Sequence, residues 1–138
     1  MIVVDVNVVV YFFIEGERTA AARELMARDA DWRLPPLWRH EYLNVLATLI
    51  RESHATVAEA QDLWRKAVQR LASGEHAPDM QAALEIAAEN RISAYDAQYI
   101  SLARQLQTVC VTQDKRLLDA FPTLTRSIED LTARASDS

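Results

Sequence analysis

Residues 1–13 are MIVVDVNVVVYFF, and this stretch decides the fold class. Its apolar run, IVVDV at residues 2–6, is short and continuous, which is typical of a parallel strand covered on both faces. Asp5 lies within that run. A buried carboxylate costs several kcal/mol unless it is paired or bound to a metal. We therefore expect the rest of the chain to supply a compensating group for Asp5.

Strands and helices alternate along the remainder of the sequence. Strand patterns occur in DWRLPP (31–36), TVCVT (108–112) and residues 124–127, and SGEHAPD (73–79) marks a break with at most a short strand. Helical periodicity covers residues 7–14, 18–28, 37–52, 56–71, 80–89, 93–106 and 115–120. This alternation predicts an α/β fold, an α/β/α sandwich that is rich in helix and has a short, mostly parallel central sheet.

The composition is that of one ordinary globular domain of 138 residues. The net charge of −5 argues against a general coat of nucleic acid, although it does not exclude a small local site. Cys110 is the single cysteine, and its apolar neighbours predict a buried strand thiol that fits a reducing cytosol. The apolar start lacks a basic region and is interrupted by Asp5, so we expect a cytoplasmic protein without a membrane partner.

Four acidic residues fall where the predicted fold brings them together. Asp5 and Asp114 follow strands, and the carboxyl ends of parallel strands share the edge where such sheets bind ligands. Glu41 and Asp96 lie on helices, at the border of the apolar faces. Clustered carboxylates repel one another, so they take up protons or bind a cation. Without a set of His or Cys ligands, hard oxygen ligands favour Mg²⁺ or Mn²⁺ over zinc.

Each of these residues also has a simpler explanation. Asn7 and Asp114 are good N-cap residues placed ahead of predicted helices. Ser93 and Asp96 have the spacing of a capping box. Glu41 on its own is typical of a helix surface. The arrangement of the four carboxylates, and no single one of them, predicts a metal site.

With these residues in place, the sequence resembles the PIN-domain ribonucleases, and specifically the small VapC-like toxins of bacterial type II toxin–antitoxin pairs. The matching segments are VVDVNVVVYFF, PPLWRHEYLNVL, ISAYDAQYISLARQL and VCVTQDKRL. The similarity predicts a single PIN-like domain over residues 1–132 and a frayed tail over residues 133–138. SGEHAPDMQ, at residues 73–81, has less strand character than the corresponding middle strand of the family.

The resemblance implies a Mg²⁺- or Mn²⁺-dependent endoribonuclease that forms a homodimer and is held inactive by a cognate antitoxin. The catalytic and metal-binding acidic tetrad would consist of Asp5, Glu41, Asp96 and Asp114, with Asn7 and Thr112 as supporting polar residues. Basic side chains around the rim are predicted to contact RNA: Arg39, Arg91, Lys115 and Arg116. The amphipathic helix that begins near Thr56 is core by default, and the resemblance makes it a candidate wall of an antitoxin groove.

Two alternatives stay open at this stage. A haloacid-dehalogenase-like phosphohydrolase would use a strand-end Asp as its nucleophile, but it would want a second Asp at the position of Asn7 and a lysine ahead of the last acidic residues. A catalytically inactive PIN-like or receiver-like binding module is the non-enzyme alternative, and the intact set of four acidic residues argues against it.

Overall fold

The computed structural model describes residues 1–133, so residues 134–138 of the predicted tail lie outside the described residues. The strands are β1 (Ile2–Val4), β2 (Trp32–Arg33), β3 (Cys110–Val111) and β4 (Thr125–Arg126). The helices are α1 (Val6–Phe13), α2 (Thr19–Arg28), α3 (Trp38–Arg51), α4 (Val57–Leu71), α5 (Met80–Asn90), α6 (Ala94–Gln105), α7 (Lys115–Ala120) and α8 (Ile128–Thr132).

The four strands form one parallel sheet in the order β2-β1-β3-β4. Helix α6 packs on β1 and β3 with α5 against it, while α1 packs on α2 and α3, and α3 packs on α4. The sheet is flanked by helices, which confirms the predicted α/β/α architecture. Its strands are only two or three residues long, so helices supply most of the surface that buries the sheet.

The strand order creates a switch point between β1 and β3. From β1 the chain first adds β2 on one side and later returns to add β3 and β4 on the other side. Connections therefore leave the sheet in opposite directions at the carboxyl ends of β1 and β3, which opens a crevice there. Asp5 and Thr112 directly follow these two strands, so the topology places both residues at the crevice.

The segment from residue 73 to residue 81 forms a single parallel bridge, between Leu34 and Glu75, in place of a full strand. Gly74 is required here, because a Cβ at this position would fall on the carbonyl oxygen of Trp32. The bridge is held from the side by Glu75, whose Oε1 accepts hydrogen bonds from Trp38 Nε1 and Arg39 Nε. The weak strand character of this segment in the sequence thus reflects one bridge supported by side chains.

Two helix starts show how local sequence determines element ends. Thr56 and Glu59 form the reciprocal capping box that their spacing predicts at the start of α4. Helix α8 was not among the predicted elements, although Ser127 and Asp130 form the same capping box at its start. The signal was present in the sequence SIED, but a five-residue helix is too short to show periodicity.

The core contains three large aromatic side chains that are almost fully buried, Trp38, Tyr42 and Tyr99, together with the valines of β1 and α1. Cys110 is buried in β3 as a free thiol, as its apolar context predicts. No helix among residues 1–133 is both long enough and apolar enough to cross a membrane.

Candidate functional site

Asp5 is the buried carboxylate of the site, with 7% of its surface exposed. Its backbone N–H donates to the carbonyl of Val111 on the neighbouring strand at 3.0 Å, so its position is determined by the sheet. Its Oδ2 accepts a hydrogen bond from Thr112 Oγ1 at 2.8 Å. Burial raises the pKa of Asp5, the Thr112 hydrogen bond opposes that rise, and the negative charge of Asp96 adds to it.

Thr112 connects the two strand-end acidic residues. Its hydroxyl donates to Asp5 and also accepts a hydrogen bond from the backbone N–H of Asp114 at 3.1 Å. The side chain is completely buried, so this one oxygen sets the spacing between the two residues. Asn7, the other predicted supporting residue, is exposed in the first turn of α1. The capping explanation for Asn7 is therefore wrong, because Asp5 occupies the N-cap position of α1 and makes no side-chain cap hydrogen bond there.

Glu41 enters the site from α3 and is half-buried. Its Oε1 accepts a hydrogen bond from the Tyr99 hydroxyl on α6 at 2.7 Å. Burial raises the pKa of Glu41, the Tyr99 hydrogen bond opposes this rise, and the charges of Asp5 and Asp96 add to it. This contact therefore joins two helices and brings Glu41 within electrostatic range of both aspartates.

Asp96, in the first turn of α6, is electrostatically linked to the other three carboxylates. Its backbone N–H donates to Ser93 Oγ at 3.0 Å, as the capping spacing predicts. Burial raises the pKa of Asp96, and the charge of Asp114 adds to that rise. The charge of Asp96 in turn raises the pKa of Asp5 and of Glu41. The four acidic residues thus form one interacting group with Asp96 at its centre.

Asp114 is paired with a cation. It is the N-cap residue of α7, where its Oδ1 accepts from the backbone N–H of Arg116 at 2.9 Å. The Arg116 guanidinium lies 2.9 Å from Asp114 Oδ2 and 3.7 Å from Asp96 Oδ2. This guanidinium lowers the pKa of Asp114. Asp114 therefore caps α7, as its position predicts, and both of its oxygens also accept hydrogen bonds from the guanidinium of Arg116.

The chemistry of this donor set fits a hard divalent cation. All four side chains offer carboxylate oxygens, and the pKa values of Asp5, Glu41 and Asp96 are raised by burial and mutual repulsion. As the side chains stand in residues 1–133, no three His, Cys, Asp or Glu residues are grouped so as to hold a metal ion. The positive charge beside Asp96 and Asp114 belongs to Arg116. The carboxylates are thus gathered, but a cation would have to draw them closer.

The predicted RNA-contacting side chains have different surroundings. Arg116 lies in the acidic group, and Lys115 is exposed next to it in the first turn of α7. Arg39 is paired with Glu75 and lies over the Trp38 ring. Arg91 is exposed at the end of α5, where it adopts the left-handed conformation with φ of 53°. The structure therefore brings Arg116 to the acidic group, and it commits Arg39 to holding the Leu34–Glu75 bridge.

Tyr99 is the residue of the site that sequence patterns did not identify as a partner of Glu41. It follows Asp96 by three positions, so both residues lie on one face of α6. That spacing predicts their shared face, but the contact with Glu41 spans 58 residues of sequence.

Comparisons with known proteins agree with this fold. The PIN domain family model matches residues 2–121, a range that contains all four carboxylates. A curated relative, Ribonuclease VapC3 from Pyrobaculum aerophilum, is 25% identical over 128 residues, which cover 89% of this chain and 96% of the relative. The crystal structure of PAE2754 from Pyrobaculum aerophilum matches with a TM-score of 0.76 at 22% identity and covers 99% of this chain and 96% of that chain.

Proposed function

The chain belongs to the PIN domain family, and on that premise we propose that it is a metal-dependent endoribonuclease that hydrolyses RNA phosphodiester bonds. The observation that supports this proposal is the single interacting group of four carboxylates at the carboxyl ends of β1 and β3. The relative named Ribonuclease VapC3 supports RNA as the substrate class. A haloacid-dehalogenase-like enzyme is no longer an alternative, because the family is that of PIN domains.

In this proposal Asp5 and Asp96 are the principal ligands of Mg²⁺, with Mn²⁺ as the alternative metal. Glu41 and Asp114 complete the ligand shell through water or accept the proton of the attacking water. A divalent cation at this site supplies positive charge that acidifies water and stabilises charge on the phosphate.

The residues of the chain contribute binding, orientation and proton transfer. Thr112 holds Asp5 in place through the buried hydrogen bond. The raised pKa of Glu41 suits a group that accepts a proton nearer to neutral pH than an ordinary glutamate does. In this proposal Arg116, beside Asp96 and Asp114, contacts RNA phosphates together with Lys115, which is exposed and precedes it in the sequence. Attack of water on the phosphorus breaks the P–O3′ bond, and the departing 3′ oxygen takes up a proton from solvent. The products are a 5′-phosphate and a 3′-hydroxyl.

The first test is cleavage of labelled total RNA by the purified wild type and by Asp5→Asn, each with Mg²⁺, with Mn²⁺ and with EDTA. Glu85→Gln is the matched control, because it makes the same acid-to-amide change at an exposed position of α5. We expect wild type and Glu85→Gln to yield discrete fragments with 5′-phosphate ends. We expect EDTA and Asp5→Asn each to abolish them.

Two other outcomes would reject the proposal. Equal cutting by wild type and Asp5→Asn would show that the observed cleavage does not depend on the acidic group, as with a contaminating nuclease. A folded wild type that cuts no RNA and binds neither metal by calorimetry would leave the carboxylates without a catalytic role. The catalytically inactive PIN-like binding module would then be the better account of the chain.

We also propose that the enzyme is a toxin, homodimeric and neutralised by a cognate antitoxin. Support comes from an apolar groove of about 200 Å³ between α3 and α4, which fits one face of an amphipathic helix. Its lining includes Leu43 and Val57, two large hydrophobic side chains that are more than half exposed. A groove of this kind exposes apolar surface that a bound partner would cover.

The antitoxin proposal is tested by growth. Expression of the wild type is expected to arrest bacterial growth, Asp5→Asn is expected not to, and co-expressed antitoxin should relieve the arrest. Val57→Glu places a charge in the groove and should prevent that relief while leaving RNA cleavage intact. If the antitoxin still relieves the growth arrest caused by Val57→Glu, its binding site lies outside this groove. The homodimer is tested separately, by measuring the mass of the purified chain in solution.

A further inference from the structure

We propose that Tyr99 is a positioning residue of the acidic site, which acts through Glu41 by holding its carboxylate toward Asp5 and Asp96. This inference rests on the proposed metal-dependent function. The contact that supports it is the hydrogen bond of 2.7 Å from the Tyr99 hydroxyl to Glu41 Oε1. It links α6, which carries Asp96, to α3, which carries Glu41.

The two partners differ greatly in freedom, which makes Tyr99 the one that does the positioning. Glu41 is half-buried, and a glutamate side chain loses much rotamer freedom when it is held in one orientation. Tyr99 has 1% of its surface exposed, so its ring is held by the core and its hydroxyl has a fixed place. A tyrosine hydroxyl carries its proton at neutral pH, so it can donate to Glu41 Oε1.

A neutral donor has a specific advantage at this position. Asp114 is held by the guanidinium of Arg116, a positive charge that opposes the binding of a metal cation. Thr112 and Tyr99 hold Asp5 and Glu41 through hydroxyl groups, which orient a carboxylate without cancelling its charge. Among residues 1–133, Glu41 has no ion pair with a basic side chain, so the Tyr99 hydroxyl is the group that orients it.

The test compares Tyr99→Phe with Tyr42→Phe. Tyr42 is completely buried and donates one hydrogen bond, from its hydroxyl to the carbonyl of Leu63 at 3.3 Å, without touching any of the four carboxylates. Each variant loses only a buried hydroxyl and keeps its ring. The affinity for Mn²⁺ is measured by calorimetry on the purified chain without RNA, after circular dichroism has shown that each variant is folded.

We expect Tyr99→Phe to bind Mn²⁺ about tenfold more weakly than wild type, at the lower end of the effect of losing a group that orients a metal ligand. We expect Tyr42→Phe to stay within about twofold of wild type, because its hydroxyl orients no carboxylate of the site. In a Glu41→Ala background, Tyr99→Phe should cause no further loss, since its effect passes through Glu41.

Each contrary result has a distinct meaning. Equal affinity of Tyr99→Phe and wild type, or the same loss in the Glu41→Ala background, would overturn the positioning role and leave the proposed function standing. A similar loss in Tyr42→Phe would show a general effect of core packing and would also overturn the role. A wild type that binds no Mn²⁺ would overturn the proposed function, and this inference with it.

Discussion

Asp5→Asn is expected to make the metal-free protein more stable and to abolish its metal-dependent stabilisation. Asn has nearly the shape of Asp, and its side-chain oxygen can still accept the hydrogen bond from Thr112. The substitution removes a buried negative charge that lies within range of Asp96. Replacing a residue that serves a functional site often stabilises the fold, because the site requires a buried charge and burial of that charge disfavours folding.

The sign and size of the effect follow from the pKa of Asp5. A carboxyl group whose pKa is raised in the folded state opposes folding once it ionises, so its cost appears as pH rises above the unfolded value of 3.8. If the pKa of Asp5 is higher by one in the folded state than in the unfolded state, ionisation of the carboxyl group costs about 1.4 kcal/mol of folding free energy. We expect Asp5→Asn to raise the free energy of unfolding at pH 7 by roughly 0.5–2 kcal/mol. For a domain of this size, each kcal/mol shifts the melting temperature by about 4 °C.

The assay is thermal and urea unfolding in EDTA between pH 3.5 and pH 8, with Glu85→Gln as the control. The gain in stability of Asp5→Asn over wild type should be full at pH 7. It should shrink as pH falls toward 3.8, because the wild-type carboxyl group then becomes protonated in the folded state. Mn²⁺ at a hundred times its Kd should then add about 2.7 kcal/mol to the wild type. Mn²⁺ should add nothing to the stability of Asp5→Asn. The metal should therefore narrow or reverse the difference in the free energy of unfolding between Asp5→Asn and wild type.

Two results would refute this reasoning. If Asp5→Asn were less stable than wild type in EDTA at pH 7, the buried carboxylate would be supporting the fold. If its advantage were the same at pH 4 and pH 7, the effect would not come from the charge of Asp5. The Glu85→Gln control is expected to show no comparable change at either pH, because its side chain is exposed.

Three further substitutions test the surroundings of the carboxylates. Thr112→Val removes the hydroxyl that hydrogen-bonds both Asp5 and the backbone N–H of Asp114. Urea unfolding in EDTA should show that the free energy of unfolding falls by about 1–3 kcal/mol. An unchanged unfolding midpoint would contradict a stabilising role of these hydrogen bonds. Arg116→Ala should bind Mn²⁺ more tightly by calorimetry, because the guanidinium no longer competes for Asp114, and weaker binding would instead make Arg116 a support of the site. Arg91→Gly should raise the free energy of unfolding by up to about 1 kcal/mol, because relief of a left-handed conformation that costs about 1–2 kcal/mol outweighs the roughly 0.4–1 kcal/mol of unfolded-state entropy that glycine adds. A loss of stability in thermal unfolding would show that the arginine side chain stabilises the fold.

Much of the fold was predictable because its signals are local. Apolar runs of two to five residues indicate the strands, and helical periodicity indicates seven of the eight α-helices found among residues 1–133. Thr56 with Glu59 marks the start of α4. The shared edge of Asp5 and Asp114 also follows from the sequence, because parallel strands end on the same side of a sheet. The sequence patterns did not indicate α8, which is too short to produce a period, and for residues 73–79 they indicated at most a short strand, where the structure has a single bridge at Glu75.

The sequence by itself determined which residues are acidic, which elements carry them and that two of them follow strands at the same edge of the sheet. Only the tertiary structure decided how those side chains are held: Asp5 by Thr112 across 107 residues, Glu41 by Tyr99 across 58, and Asp96 with Asp114 by Arg116. The physical reason is that periodicity reports the face of an element on which a residue lies, whereas a hydrogen bond of 2.7 or 2.8 Å depends on how two elements pack and which rotamers the packing permits.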